Sequence, residues 1–191
     1  LGLKERVAMI TERAMAGELD FPAALRERAA MLKGLSVNDL EHVFDQRIHL
    51  TPGARQLVAT MTADGAYTAL VSGGFTFFTQ RVAAAAGFDH HQANILQFSG
   101  CQLTGEVAEP ILGSSEKLAA LQSLSAHWNL ETSNILAVGD GANDLEMIGA
   151  AGLGVAFHAQ PIVAQAASAR IDHNDLTALL YLQGYRGSQI R

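Results

Sequence analysis

Apolar residues recur at helical spacing in the first part of the chain and form short continuous runs further on. The first predicted helix carries its apolar face at Leu3, Val7, Ile10 and Ala14. A second helix begins after Asp20, and Ser36 followed by Asp39 is the capping-box pattern that opens a third. Residues 1–48 are therefore predicted to form a small helical domain.

From residue 49 onward, short apolar runs alternate with helical segments. A helix is predicted to begin at Thr51-Pro52, and apolar runs at 66–71 and 135–138 each end in glycine-rich polar residues. Residues 94–107 have the pattern of a β-hairpin. Such alternation is typical of a parallel sheet covered by helices, so residues 49–191 are predicted to form an α/β core. In such sheets, ligands bind at the carboxyl ends of the strands.

The composition excludes several classes of protein. Of the 191 residues, 49% are hydrophobic and 17% are charged, which is typical of a folded globular chain. The net charge is −6 and Lys and Arg form no run, so no nucleic-acid partner is expected. Cys101 is the single cysteine, and no apolar stretch reaches the roughly 20 residues of a membrane span. We therefore expect a cytoplasmic protein with no membrane partner; the sequence does not indicate its oligomeric state.

The segment ILAVGDGAND at 135–144 carries the strongest chemical signal. An apolar run delivers Asp140 at its carboxyl end, glycines flank that residue, and Asp144 follows one helical turn later. Carboxylate oxygens, with the amide of Asn143, suit a hard cation such as Mg²⁺. A dinucleotide-binding loop is disfavoured because its third glycine would fall at Asp144, and an EF-hand because Ala142 has no side-chain oxygen. A helix-capping role for Asn143 or Asp144 stays open as an alternative.

A second polar cluster, Ser72 and Gly73, follows the first apolar run of the core. A hydroxyl beside backbone N–H groups can cradle an anion, although a plain turn with Ser72 as a helix cap is the alternative. Lys117, one turn into a predicted helix, would by itself be an ordinary solvated lysine. Together with the acid pair, these groups are what holds a phosphoryl group and neutralises its charge during transfer. Because converging carboxylates repel each other, we expect at least one of Asp140 and Asp144 to have a raised pKa or to pair with a lysine, for which Lys117 is the candidate.

Several segments resemble the haloacid dehalogenase (HAD) superfamily, and in detail the phosphoserine phosphatases within it. VSGGF at 71–75, Lys117 and GDGANDLEMI at 139–148 are similar to three motifs of that superfamily. The helical segment 13–28, with HLTPG, LTGEV and AGLGVAFHA further on, is similar to the phosphoserine phosphatases, and the likeness covers almost the whole chain. It implies a HAD-like, doubly wound parallel sheet with a small helical cap.

The resemblance also implies an activity, Mg²⁺-dependent hydrolysis of O-phosphoserine through an aspartyl-phosphate, the last step of serine synthesis. It gives catalytic roles to Lys117 and Ser72 and metal binding to Asp140 and Asp144. The substrate-binding residues that it implies are Met15, Gly17, Phe21, Arg28, Ser72, Gly73, Lys117 and Asn143. Without the resemblance, Arg28 would be part of a solvated helix face, and the two large apolar residues of this set would be core. A phosphatase for another small phosphorylated metabolite and a non-catalytic binding protein are the alternatives.

One motif of the superfamily is absent from the sequence. The resemblance implies a strand that ends in D-x-D-x-[ST], whose first Asp is the nucleophile and whose second is the general acid. No such pattern occurs in the 191 residues. We expect it upstream of Leu1, on the central strand of the sheet. These residues alone are expected to be catalytically inactive, because nothing among them replaces the nucleophile.

Overall fold

The first part of the molecule is helical. The structure, a computed structural model, describes residues 4–15 and 18–191. Its first helices are α1 (Lys4–Met15), α2 (Phe21–Ala30) and α3 (Val37–Arg47). Asp20 caps α2 by accepting from the Ala23 N–H at 2.7 Å, and Ser36 and Asp39 form the predicted capping box of α3. The three helices expected from the apolar spacing are confirmed over the described residues.

The rest of the described chain alternates helices and strands. These elements are α4 (Ala54–Ala63), β1 (Ala69–Phe75), α5 (Thr76–Ala86), β2 (His90–Asn94), β3 (Leu96–Ser99), β4 (Gln102–Val107), α6 (Ser114–His127), β5 (Leu136–Gly139), α7 (Leu145–Ala150), β6 (Leu153–Phe157), α8 (Pro161–Ala166), β7 (Ala169–Ile171) and α9 (Ala178–Leu182). Short 3₁₀ turns lie at Thr132–Asn134, Ala142–Asp144 and Gly187–Gln189. Over 4–15 and 18–191, no helix has the length and apolarity to cross a membrane.

Parallel pairing dominates the core, as expected for a helix-covered sheet. Strand β1 pairs with β2, and β5, β6 and β7 form a three-stranded parallel sheet, while β3 and β4 form an antiparallel hairpin. Within the described residues, β1 and β5 each pair on one edge only. Most of the residues in β1 and β5 are half-buried, whereas the middle of β6 is buried. The predicted α/β fold is confirmed, with an open edge on β1 and another on β5.

Three element boundaries differ from the sequence prediction. Strand β1 extends to Phe75, so Ser72 and Gly73, which were predicted to follow the strand, lie in its carboxyl-terminal part. The hairpin begins at Leu96, and Asn94 instead ends β2, a parallel strand whose polar sequence HHQ gave no apolar signal. Helix α4 begins at Ala54, after Gly53 with a left-handed φ of 82°. A Cβ at Gly53 would lie 2.7 Å from the backbone nitrogen of Thr177. Contact with a distant segment therefore sets this helix start, and the cap-then-proline pattern does not.

Helices α2 and α3 both pack against the β3–β4 hairpin. Their shared core consists of Leu25, Ala29, Leu40, Leu96, Leu103, Val107 and Ile111. Gly105, with φ of 84°, allows the close approach, because a Cβ there would lie 3.0 Å from Lys33 Cβ and 3.2 Å from Ala30 Cα. This packing fixes the position of α2 and hence of Phe21 at its start. The domain boundary near residue 48 stays a prediction.

Candidate functional site

A buried ion pair lies at the carboxyl end of β5. The Lys117 Nζ atom is 2.5 Å from Asp144 Oδ1, and the two residues are only 6% and 4% exposed. The other oxygen, Oδ2, accepts from the N–H groups of Asp140 and Gly141, each at 3.1 Å. Both oxygens of Asp144 are thus engaged. The expected pairing of Lys117 with one of the two acids is confirmed, and that acid is Asp144.

The close approach of the Asp144 side chain requires a glycine at position 139. A Cβ at Gly139 would lie 2.4 Å from both Cβ and Cγ of Asp144. A Cβ at Gly141 would instead meet the end of the Asn143 side chain, with Oδ1 at 2.7 Å. The turn can therefore bring Asp144 back over the strand end only because Gly139 carries no side chain.

The Ser72–Gly73 loop, as we call the irregular carboxyl end of β1 where its register with β2 shifts between Val71 and Phe75, meets the start of α2 and the acidic turn. Ser72 Oγ accepts from the Gly74 N–H at 3.0 Å. A Cβ built on Gly73 would lie 3.1 Å from Phe21 Cζ and 3.7 Å from Asn143 Nδ2. The structure thus brings Gly73, Phe21 and Asn143 together, and their roles in substrate binding stay a prediction.

Asn94, which the sequence reasoning missed, joins this loop to the start of α6. Its Nδ2 donates to Gly73 O at 3.0 Å and to Leu112 O at 3.2 Å. Its Oδ1 accepts from the Leu112 N–H at 2.6 Å. The available signal was a polar residue between Ala93 and Ile95, at the first position of the predicted hairpin. That signal is weak, because such a residue is equally common in a turn.

The start of α6, which carries Lys117, is itself capped. Glu116 Oε2 accepts from the Gly113 N–H at 2.8 Å. This backbone hydrogen bond holds the pKa of Glu116 below its ordinary value. The ionised carboxylate at the helix N-terminus stabilises the first turn of α6 and so the position of Lys117.

Arg28 differs from the charged residues beside it. Arg26 forms an ion pair with Glu109 at 2.6 Å, and Glu27 pairs with Arg13 at 2.9 Å. Arg28 is half-buried, and its Nε donates to Ala24 O at 3.2 Å. Among the residues that the structure describes, no carboxylate forms an ion pair with it. Its guanidinium therefore keeps donors for a ligand.

The remaining predicted residues are placed as follows. Asp140 directly follows β5 and is exposed. In the described part of the chain, no three acidic, histidine or cysteine side chains are grouped to hold a metal ion. Asp140 is thus an exposed carboxylate that can supply part of a ligand set, and metal binding by Asp140 and Asp144 stays a prediction. The predicted roles of Gly17 and of the Met15 side chain lie outside the described residues.

Comparison with known proteins identifies the family of this chain. Residues 2–149 match the haloacid dehalogenase-like hydrolases. A phosphoserine phosphatase of Idiomarina loihiensis is 43% identical over 175 residues, which cover 92% of this chain and 79% of that protein. One of Archaeoglobus fulgidus is 40% identical over 178 residues, covering 93% of this chain and 52% of that protein. The chain thus spans about half the length of some of its curated relatives.

Solved structures of phosphoserine phosphatases have the same fold as this chain. A substrate-bound phosphoserine phosphatase complex and a phospho-aspartyl intermediate analogue of such an enzyme each superpose with a TM-score of 0.86 at 35% identity. Each alignment covers 95% of this chain and 86% of the other. The sequence match, the fold and the strand-end site agree, and the chain belongs to the haloacid dehalogenase-like hydrolases, in the group that includes the phosphoserine phosphatases.

Proposed function

We propose that this protein is a Mg²⁺-dependent phosphomonoesterase that hydrolyses O-phosphoserine to serine and phosphate. The observation that carries the proposal is the buried Lys117–Asp144 pair, on a turn whose Asn143 lies beside the Ser72–Gly73 loop. The names of the relatives support the choice of substrate. A biosynthetic activity of this kind fits a cytoplasmic location.

The described residues supply the electrostatic part of the reaction. The ammonium of Lys117, the hydroxyl of Ser72 and the Gly73 N–H bind phosphate oxygens, with the Asn143 amide beside them. Asp144 holds Lys117 at the site, because its carboxylate is fixed by the two backbone N–H groups. Such preorganised donors stabilise the charge that rearranges as the phosphoryl group moves.

The nucleophile comes from outside these 191 residues. Among the residues that the structure describes, β1 and β5 each pair on one edge only, and this supports the proposal because each free edge can pair with a further strand. A carboxylate oxygen there attacks phosphorus, the ester P–O bond breaks, and serine leaves with a proton from a second acid. Water then hydrolyses the aspartyl-phosphate. When bound, Mg²⁺ would be held in part by Asp140, and it would offset the negative charge of the phosphate.

The cap residues select the amino-acid end of the substrate. Arg28 binds the carboxylate in bidentate fashion, since its guanidinium has donors that no described acid uses. The Phe21 ring lies over Gly73 and closes the site against water. The family resemblance implies that Met15 and Gly17 also bind the substrate.

The test is phosphate release by the protein expressed with any residues that its reading frame carries ahead of Leu1. O-phosphoserine is compared with phosphoethanolamine, which lacks the carboxylate. Arg28→Leu should lower kcat/KM for O-phosphoserine by roughly 10- to 100-fold, the value of a charge-assisted hydrogen bond, and leave phosphoethanolamine unchanged. Arg26→Leu is the matched control, because its guanidinium already pairs with Glu109. Equal loss with both substrates would contradict the role of Arg28, and preference for a carboxylate-free ester would contradict the substrate.

Metal dependence is measured in the same assay. A chelator should abolish release and Mg²⁺ should restore it, while Asp140→Asn should raise the Mg²⁺ concentration needed for half-maximal rate. Full activity in the chelator would remove the metal from the proposal, and an unchanged Mg²⁺ requirement in Asp140→Asn would remove Asp140 as one of its ligands.

A further inference from the structure

We propose that Asn94 is a positioning residue, which holds the Ser72–Gly73 loop and the start of α6 so that Ser72 and Lys117 act on the same phosphate. The inference rests on the proposed function. The Asn94 carboxamide is 2% exposed, and its three polar contacts all go to backbone atoms of two separate loops. One loop carries Ser72, and the other precedes the helix of Lys117.

On the loop side, Asn94 fixes the orientation of one peptide group. Its Nδ2 donates to Gly73 O at 3.0 Å. The N–H of the same peptide, that of Gly74, donates to Ser72 Oγ at 3.0 Å. In a trans peptide these two groups point in opposite directions, so the peptide is held at both ends. Ser72 Oγ accepts in this contact, which leaves its O–H free to donate to a phosphate oxygen.

On the helix side, Asn94 pairs with a whole backbone residue. It accepts from the Leu112 N–H at 2.6 Å and donates to Leu112 O at 3.2 Å. Gly113 follows at once, and its carbonyl accepts from the Lys117 N–H at 3.3 Å, the first turn of α6. A displacement of Leu112 is therefore transmitted to the helix that presents Lys117.

Only a carboxamide satisfies all three contacts. They require an acceptor for one N–H and donors for two carbonyls from the same planar group. In Asn94→Asp the shape is kept, but an acceptor oxygen faces Gly73 O and Leu112 O, and both carbonyls lose their donor. The variant should shift both loops without removing any group that touches the phosphate.

The test uses the whole protein with O-phosphoserine. Asn94→Asp should lower kcat by about 100-fold, the effect of a misplacement on the order of 1 Å, with a much smaller change in KM. Thr60→Val is the matched control, because Thr60 is also 2% exposed and also holds a backbone group, the Arg191 N–H, away from the site. All assays are run at a temperature where each variant is folded by circular dichroism. If Asn94→Asp does not fold, Asn94→Ser replaces it with the same expectation.

A double variant distinguishes positioning from general weakening. Because Asn94 holds both Ser72 and the helix of Lys117, adding Asn94→Asp to Lys117→Met should lower kcat by clearly less than the product of the two single losses, whereas independent effects would multiply. Multiplying losses, or an Asn94 variant with the kcat of Thr60→Val, would overturn the proposal. If the wild type hydrolyses another phosphomonoester instead, the substrate assignment fails and the Asn94 test is run with that ester. Absence of turnover with any phosphomonoester would overturn both.

Discussion

Removal of the Lys117 charge should destabilise the protein far more than removal of an exposed cation of similar geometry. In Lys117→Met the volume is nearly kept, but Asp144, which is 4% exposed, loses the partner at 2.5 Å from its Oδ1. Only the two backbone N–H groups on Oδ2 remain. Leaving one charge of a buried pair uncompensated costs about 3–5 kcal/mol in free energy of unfolding.

The Arg26–Glu109 pair is the internal control. Its atoms are 2.6 Å apart, but the side chains are 54% and 59% exposed. Exposed pairs of this kind contribute about 0–1 kcal/mol, so Arg26→Met should cost little. The two pairs thus differ in burial and hardly at all in distance.

The assay is urea unfolding of the protein and of both variants, with the double variant Lys117→Met/Asp144→Asn added. Neutralising Asp144 should recover part of the loss, because the uncompensated charge is removed while the side chain can still accept hydrogen bonds. Equal costs for Lys117→Met and Arg26→Met would refute the reasoning that burial makes this pair important. Failure of the double variant to recover any stability would refute the assignment of the cost to Asp144.

Two further predictions concern the turn and the cap. Gly139→Ala should lower the free energy of unfolding by about 1–3 kcal/mol and reduce phosphatase activity, because the new Cβ would lie 2.4 Å from Asp144 atoms. Gly149→Ala is the control. Its Cβ would have nothing within 4 Å, so this variant should be as stable as the wild type or more stable. The Ser36 hydroxyl holds the pKa of Asp39 below its ordinary value, so this carboxylate stabilises the fold above its unfolded pKa and ceases to do so as the pH falls through its folded pKa. Asp39→Asn should therefore unfold more easily than wild type at pH 7, with a difference that shrinks on acidification; a gap constant with pH would contradict the capping role.

Candidate site residues could be predicted from the sequence where a polar residue follows a predicted strand. Asp140 comes directly after an apolar run and Ser72 after another, and parallel strands present their carboxyl ends on the same side. The structure places Asn143, from the turn that follows Asp140, beside Gly73. The pairing of Lys117 with an acid followed from charge alone. The sequence did not predict which acid, because this depends on the turn that folds Asp144 back over Gly139.

Features that depend on contacts between distant segments were missed. Strand β2 has the polar sequence HHQ, so its pairing with β1 was invisible and Asn94 was placed at the hairpin. The close contact of the hairpin with α2 depends on Gly105, whose role requires knowledge of what lies above it. Likewise, the difference between Arg28 and Arg26 arises only because Glu109 is nearby in space.

The central claim, that this protein is a Mg²⁺-dependent phosphoserine phosphatase, is tested most directly by measuring the inorganic phosphate released from O-phosphoserine. The protein is expressed with any residues that its reading frame carries ahead of Leu1, and release is measured in Mg²⁺ and in chelator. The account predicts release that requires Mg²⁺, that is faster than from phosphoethanolamine, and that is strongly reduced in Lys117→Met. A protein that is fully folded in Mg²⁺ but releases no phosphate from O-phosphoserine would contradict it, as would undiminished release by Lys117→Met.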